Sequence, residues 1–332
     1  MTGSLLGNAV PRVEDPDLVR GRGTFVDDLR PEGVLHAAFV RSPLAHAQLT
    51  RVDTAEAAKA AGVVAVFAGG DLGLEPGFPF FRTHPACARP PLAVDRVRFV
   101  GEAVAVVIAE TKAQAVDASE LVDVDYDDLD VVVDMETALA EDAPQQYAAV
   151  PGNIVHGVRS RDVGALDGAA HVVRARIVNQ RLAVAPMEGN AILATPGSPD
   201  GSHDITVHMA TQMPHVAQAA AARALGLQPE RVRVVAPHVG GAFGGKAGLP
   251  AEHVVVMSAA LDLGRPVTWA ETRSEAMLSM HGRGQVQYVE LGLDEDARIT
   301  GLRCRVIGDC GAYAGFGGLL AVGPTYTMST GV

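Results

Sequence analysis

The chain has few cysteines, no run of basic residues and no continuous apolar stretch of membrane length, and each shortage excludes a class of function. Cys87, Cys304 and Cys310 form no Cys-x-x-Cys pair, so neither a zinc knuckle nor an iron–sulfur cluster can be built from local ligands. They read as buried free thiols, a usage that suits a reducing cytoplasm. With 27 Lys and Arg against 39 Asp and Glu, the formal charge of -12 leaves no general basic face for nucleic acid. Nothing approaches the about 20 consecutive apolar residues of a membrane span. The opening MTGSLLGNAVPRVEDPD lacks a basic segment followed by an apolar core, so no signal peptide is expected.

What remains is a turn-rich globular composition, with 36 Gly and 20 Pro in 332 residues and 48% hydrophobic side chains, long enough for about two domains. Up to residue 140, short apolar strands alternate with helices. VLHAAFV (34–40), VVAVF (63–67), the buried AVAVVIA (103–109), VDVDY (122–126) and VVV (131–133) read as strands. DTAEAAKAA opens with Asp53 and has Glu56 three residues on, and TKAQAVDASEL opens with Thr111 and Gln114 in the same register, so both predict capped short helices. Residues 69–92 have no periodicity and read as a long loop, while 141–153 read as a linker.

Beyond the linker the strands lengthen: 171–180, 204–210, 231–237 and 285–293, with helices at 214–226 and 250–264, each closing on a glycine, Gly226 and Gly264. This mixed order predicts an α+β fold. Residues 311–332 carry no charge, which reads as a chain cut inside a domain.

The informative stretch is GGAFGGK, residues 240–246. Gly240, four residues, then Gly245-Lys246 matches a phosphate loop except at Ala247, which has no hydroxyl for magnesium. No convincing apolar strand ending in Asp follows; VTWAE with Glu271 is the nearest, and it is a poor match. The wider run VHMATQMPHVAQAAAARALGLQPERVRVVAPHVGGAFGGK offers another reading: a strand ending at Thr211-Gln212, a helix, and a second strand delivering the Phe243 loop. His215, His238 and His281 share no metal-ligand spacing and read as core or loop histidines. Glu188, in PMEGN, reads as a structural carboxylate.

That run resembles the molybdenum-binding large subunit of the xanthine dehydrogenase/aldehyde oxidase/carbon monoxide dehydrogenase family. GRGTFVDDLRPEGVLHAAFVRSPLAHAQLTRVDTAEA and FVGEAVAVVIAETKAQAVDASELVDVDYDDL are similar to the two halves of its α/β-hammerhead domain, and NQRLAVAPMEGNAILA and HGRGQVQYVELGLDEDARITGLR continue the likeness. The resemblance implies a hammerhead domain at 1–140, the linker at 141–153, and an incomplete molybdopterin-binding α+β domain at 154–332. It implies a molybdopterin cofactor, for which the cytosine dinucleotide form is plausible, contacted by Gln212, Gly241, Ala242, Phe243, Gly244 and Gly245. Gln212 and Phe243 would lie near molybdenum, through its oxygen ligands.

The activity implied is oxidation of an aldehyde, an N-heterocycle or a similar small molecule with oxygen from water. Iron–sulfur clusters and FAD would sit on a small and a medium partner subunit in the cytoplasm, in a dimer of heterotrimers if the subunit is full length. The family's catalytic glutamate belongs to a second region that residues 1–332 do not match, so no catalytic residue is assigned here. Two positions depart from the pattern: Ala247 stands where purine oxidisers carry a substrate-touching glutamate, and Asn190 where an arginine is common. A non-catalytic remnant or association module, and a nucleotide-binding phosphate loop, are the competing readings.

Overall fold

The structure is a computed structural model that describes residues 6–78, 82–161, 163–279, 282 and 284–314. The first part of the chain supplies β1 (Leu35–Arg41), β2 (Ala47–Asp53), β3 (Val63–Ala68), β4 (Arg96–Val97), β5 (Ala103–Ala109) and β6 (Asp123–Asp128). The second supplies β7 (His171–Asn179), β8 (Ala191–Pro196), β9 (Ile205–Met209), β10 (Val232–Val235), β11 (Val267–Ala270), β12 (Gln285–Leu293) and β13 (Ile299–Gly308). The helices are α1 (Asp15–Leu18), α2 (Lys112–Ser119), α3 (Pro214–Leu225), α4 (Ala251–Leu263) and α5 (Arg273–Ser279).

Seven strands form one mixed sheet in the order β10-β9-β8-β11-β1-β5-β3. Its middle is crossed by β1 and β11, which run parallel with Leu35 beside Val267 and His36 beside Thr268. Strands from both parts of the chain therefore share one sheet and one core, in which Leu35, Phe39 and Ile108 pack with Ile192, Met209, Val256 and Trp269. All seven residues of β5 are buried, as a continuous apolar run covered on both faces must be. α2 packs on β1 and β5, and α4 on β8 and β11. α4 reads EHVVVMSAAL with apolar residues all round, and eight of its thirteen residues are buried. Two three-stranded sheets, β13-β12-β7 and β4-β2-β6, complete the architecture.

Glycines end the helices as the sequence predicts: Gly226 (φ +66°) and Gly264 (φ +61°) are left-handed caps of α3 and α4. Thr111 caps α2 by accepting the Gln114 N–H at 3.2 Å. Of the three cysteines expected to be buried, Cys87 is, while Cys304 and Cys310 are half-buried; two secondary-structure expectations also fail. DTAEAAKAA forms only a single 3-10 turn, Ala57–Lys59; Asp53 bonds the nearer Ala55 N–H, and so short a segment does not repay the cost of helix nucleation. VVV (131–133) forms no strand, because the β2–β6 pairing closes at Ala47 and Asp128, and Val133 is left 74% exposed. The long loop carries a 3-10 turn, Pro85–Cys87, and is pinched by reciprocal backbone hydrogen bonds between Gly77 and Arg89. The uncharged tail lies outside the described residues beyond Ala314. Among the described residues, no helix is long and apolar enough to cross a membrane.

Candidate functional site

β9 and β10 are parallel neighbours in register from Ile205↔Val232 to His208↔Val235, so their carboxyl ends open on the same side of the sheet. Ligands of open α/β sheets bind beyond such ends. β9 delivers Thr211 and Gln212; β10 delivers the glycine loop. Three hydrogen bonds latch the two together: Gln212 N–H to Lys246 O (3.0 Å), Thr211 Oγ1 to Lys246 O (3.3 Å), and Lys246 N–H to Gln212 Oε1 (3.3 Å). The last bond sets the amide's direction. A backbone N–H can pair only with the oxygen, so the Nε2 end of the exposed Gln212 is the end left to donate outward.

The loop backbone is unusual. Gly241 (φ +91°), Phe243 (φ +51°) and Gly244 (φ +85°) lie in the left-handed region, which costs a non-glycine residue conformational energy and marks Phe243 for attention. Phe243 is 80% exposed. Its ring folds beside Gly241, where a Cβ would stand 3.3 Å from Phe243 Cε2. Among the described residues, none accepts a hydrogen bond from the N–H groups of Gly241, Ala242, Phe243 or Gly244. Gly245 is turned inward instead: a Cβ there would meet Val184 Cγ1 at 2.7 Å, so this glycine serves packing within the protein.

Lys246 argues against the phosphate-loop reading. A phosphate loop presents its ammonium at the mouth, but here the side chain is 1% exposed and Nζ is 2.8 Å from Glu188 Oε2. Burial pulls the Lys246 pKa down and Glu188 opposes that shift. The Gly240 N–H also donates to Glu188 Oε2, at 2.7 Å. Glu271, the poorly matching acidic strand end, is likewise engaged: its Oε2 accepts from both the backbone N–H and Nδ2 of Asn190, at 2.9 and 3.0 Å. Burial raises the Glu271 pKa. Asn190 thereby ties the start of β8 to the end of β11. The phosphate-loop reading is thus overturned.

Among the described residues, no group of three or more His, Cys, Asp and Glu side chains comes together to hold a metal ion. His215 lies exposed in the first turn of α3. His238 pins the N-terminal segment, accepting the Thr24 N–H at Nδ1 (3.0 Å) and stacking obliquely on Phe25. His281 lies outside the described residues. Sequence reasoning passed over His253, buried edge-on to Trp269, whose pKa burial drives down to about 4. It also missed the Glu188–Lys246 pair. The signal available was a single lysine within a glycine run and a single glutamate within the otherwise uncharged LAVAPMEGNAILA; two lone opposite charges in apolar surroundings must pair if both are buried.

A separate cleft of about 1480 Å³ runs between the hammerhead-like part and α3, α4 and β13. It is bordered by Ala247, Leu249 and Arg98 but by neither Gln212 nor residues 241–245, and it exceeds the about 300–1,000 Å³ of ordinary ligand pockets.

Two parallel strand ends joined into one main-chain cradle, with four open backbone donors, an outward amide and a buried lysine, differ from the phosphate loop of a nucleotide hydrolase. The family model of the molybdopterin cofactor-binding domain matches residues 146–330. That of the a/b hammerhead domain of aldehyde oxidase and xanthine dehydrogenase matches residues 20–130. The chain belongs to the xanthine dehydrogenase/aldehyde oxidase/carbon monoxide dehydrogenase family of molybdenum-binding large subunits.

It is 37% identical over 328 residues to the nicotine 6-hydroxylase large subunit of Paenarthrobacter nicotinovorans, covering 94% of this chain and 39% of that one. It is 32% identical over 320 residues to the carbon monoxide dehydrogenase large chain of Afipia carboxidovorans, covering 91% of this chain and 39% of that one. The crystal structure of quinoline 2-oxidoreductase from Pseudomonas putida 86 superposes with a TM-score of 0.83 at 34% identity, over 90% of this chain and 39% of that one. The chain thus spans about two fifths of the length of these relatives.

Proposed function

We propose that this chain forms one wall of the molybdopterin site of a molybdenum hydroxylase, with residues 1–140 as the hammerhead domain and 154–332 as the first cofactor-binding domain. One observation carries the reading: the Thr211–Gln212 strand end is latched to a strained glycine loop that keeps four backbone N–H groups open. Such a surface suits a ligand rich in acceptor oxygens, approached closely by main chain. Gln212 Nε2 would donate to an oxygen of the molybdenum centre, and the N–H groups around Phe243 and Gly244 would do so from the adjoining side. Gly241 and Gly244 supply the positive φ values that shape the loop. Ala247, small and buried, puts no carboxylate where purine oxidisers carry one, which directs the substrate toward aldehydes and N-heterocycles other than purines.

When bound, the cofactor supplies the two-electron oxidation of such a substrate with oxygen taken from water. The names of the relatives mark them as large subunits or chains, so we extend the same organisation to this protein: an iron–sulfur small subunit and a flavin medium subunit carry the electrons away. The test is to purify the assembly containing this chain from its host and assay molybdenum by mass spectrometry and pterin by its fluorescent oxidation product. Stoichiometric molybdenum and pterin, with dye reduction by aldehydes or N-heterocycles, is the expected result. An assembly that oxidises these substrates without molybdenum refutes the proposal.

A further inference from the structure

We propose that Glu188 is a positioning residue: it clasps both ends of the glycine loop and, acting through Lys246, fixes the direction of the Gln212 amide before any cofactor arrives. The clasp rests on the reading of this loop as a cofactor cradle. A single carboxylate oxygen, Oε2, receives the Gly240 N–H at 2.7 Å and Lys246 Nζ at 2.8 Å, so the first and last residues of 240–246 are drawn to one atom. The Glu188 N–H returns a bond to Gly240 O at 3.1 Å.

Lys246 passes this restraint on through its main chain, which holds Gln212 N–H, Gln212 Oε1 and Thr211 Oγ1. A second observation supports the design independently. A Cβ on Gly240 would stand 2.6 Å from Glu188 Cβ, so the absence of a side chain at 240 is what lets the carboxylate approach. The base of the clasp is itself anchored, because Arg273 Nη2 donates to Pro186 O at 2.6 Å and to Met187 O at 3.1 Å. A buried ammonium stripped of its partner is strongly unfavourable, whereas replacing both members with uncharged groups of similar volume is often tolerated. That asymmetry makes the role testable.

The experiment compares wild type, Glu188→Gln and the double variant Glu188→Gln/Lys246→Met in the full assembly. Each is produced with and without molybdate, and the molybdate-free proteins are examined by hydrogen exchange. In Glu188→Gln, amide exchange should rise at least tenfold in peptides covering 211–213 and 240–246, with α4 unchanged, and molybdenum retained after gel filtration should fall at least tenfold. The double variant leaves no buried ammonium unpaired but makes no Nζ–Oε2 bond, so it should recover stability while its loop exchange stays raised. It also serves as the readable variant if Glu188→Gln fails to fold. Wild-type exchange in Glu188→Gln or in the double variant overturns the clasp. Molybdenum in the wild type is the separate readout of the cofactor reading: its absence there, with loop exchange still raised in Glu188→Gln, would remove the cofactor and keep the clasp.

Discussion

Replacing Glu252 with glutamine probes the charged seam that joins the two parts of the shared sheet. Glu252, in the first turn of α4, has a side chain 3% exposed; its Oε1 accepts from Arg41 Nη1 at 3.0 Å and Arg89 Nη2 at 3.2 Å. Arg41 lies on β1 and also reaches Glu275 of α5 at 3.0 Å. Burial pushes the Glu252 pKa up, but Arg89 and Arg41 outweigh it and hold the carboxyl at about 2. Against about 4.3 in an unfolded chain, that depression corresponds to about 3 kcal/mol. Removing one partner of a buried pair costs about 3–5 kcal/mol by experience with other proteins, so the two routes agree.

The folded pKa lies below the unfolded one, so this stabilisation is fully present above pH of about 4.3 and is lost as pH falls toward 2. Urea unfolding can be followed by Trp269, the chain's single tryptophan, which is buried on this seam with the Arg41 guanidinium 6.0 Å from its ring. Glu252→Gln should lower stability by about 3 kcal/mol at pH 7, and the gap from wild type should close in acid. A gap under about 1 kcal/mol, or one that persists unchanged at pH 3, would refute the reasoning, since only a weakly coupled surface pair behaves so.

Three further substitutions address the site and its support. Gly245→Ala places a Cβ 2.7 Å from Val184 Cγ1 and 3.2 Å from Ala242 O; overpacking of about 1–3 kcal/mol should appear as a lower urea midpoint together with reduced cofactor content. Gln212→Ala removes an exposed amide holding one hydrogen bond inward, so stability should fall by only about 1 kcal/mol while molybdenum-dependent activity in the assembly is lost; unchanged turnover would contradict the assigned direction of Nε2. Thr111→Ala deletes the α2 cap and should cost about 1 kcal/mol, read from the same urea curves, without affecting cofactor content.

Much of this fold was legible in the residues because local signals and burial agree. AVAVVIA could only be a covered strand, and Gly226 and Gly264 stop their helices for the stereochemical reason the sequence suggests. The failures occur where a tertiary partner decides. VVV has strand propensity but no neighbour to pair with, while VTWA, an unpromising four-residue run, becomes β11 because β1 and β8 flank it. That one sheet crosses from the first part of the chain to the second could not be read from periodicity at all, since register between distant strands leaves no local trace. At the site, the Thr-Gln and Phe243 motifs stood out by resemblance. The Glu188–Lys246 and Asn190–Glu271 pairs did not, because each joins residues more than fifty positions apart.

The central claim is that the Gln212 amide and the 241–244 backbone face the cofactor while Lys246 faces away from it. An electron cryomicroscopy structure of the molybdenum-loaded assembly tests this directly. The account predicts cofactor density in contact with Gln212 Nε2 and the main chain at Phe243 and Gly244, with the Lys246 ammonium still closed on Glu188. Density held by the Lys246 ammonium, or a cofactor seated in the large cleft away from the glycine loop, would contradict it.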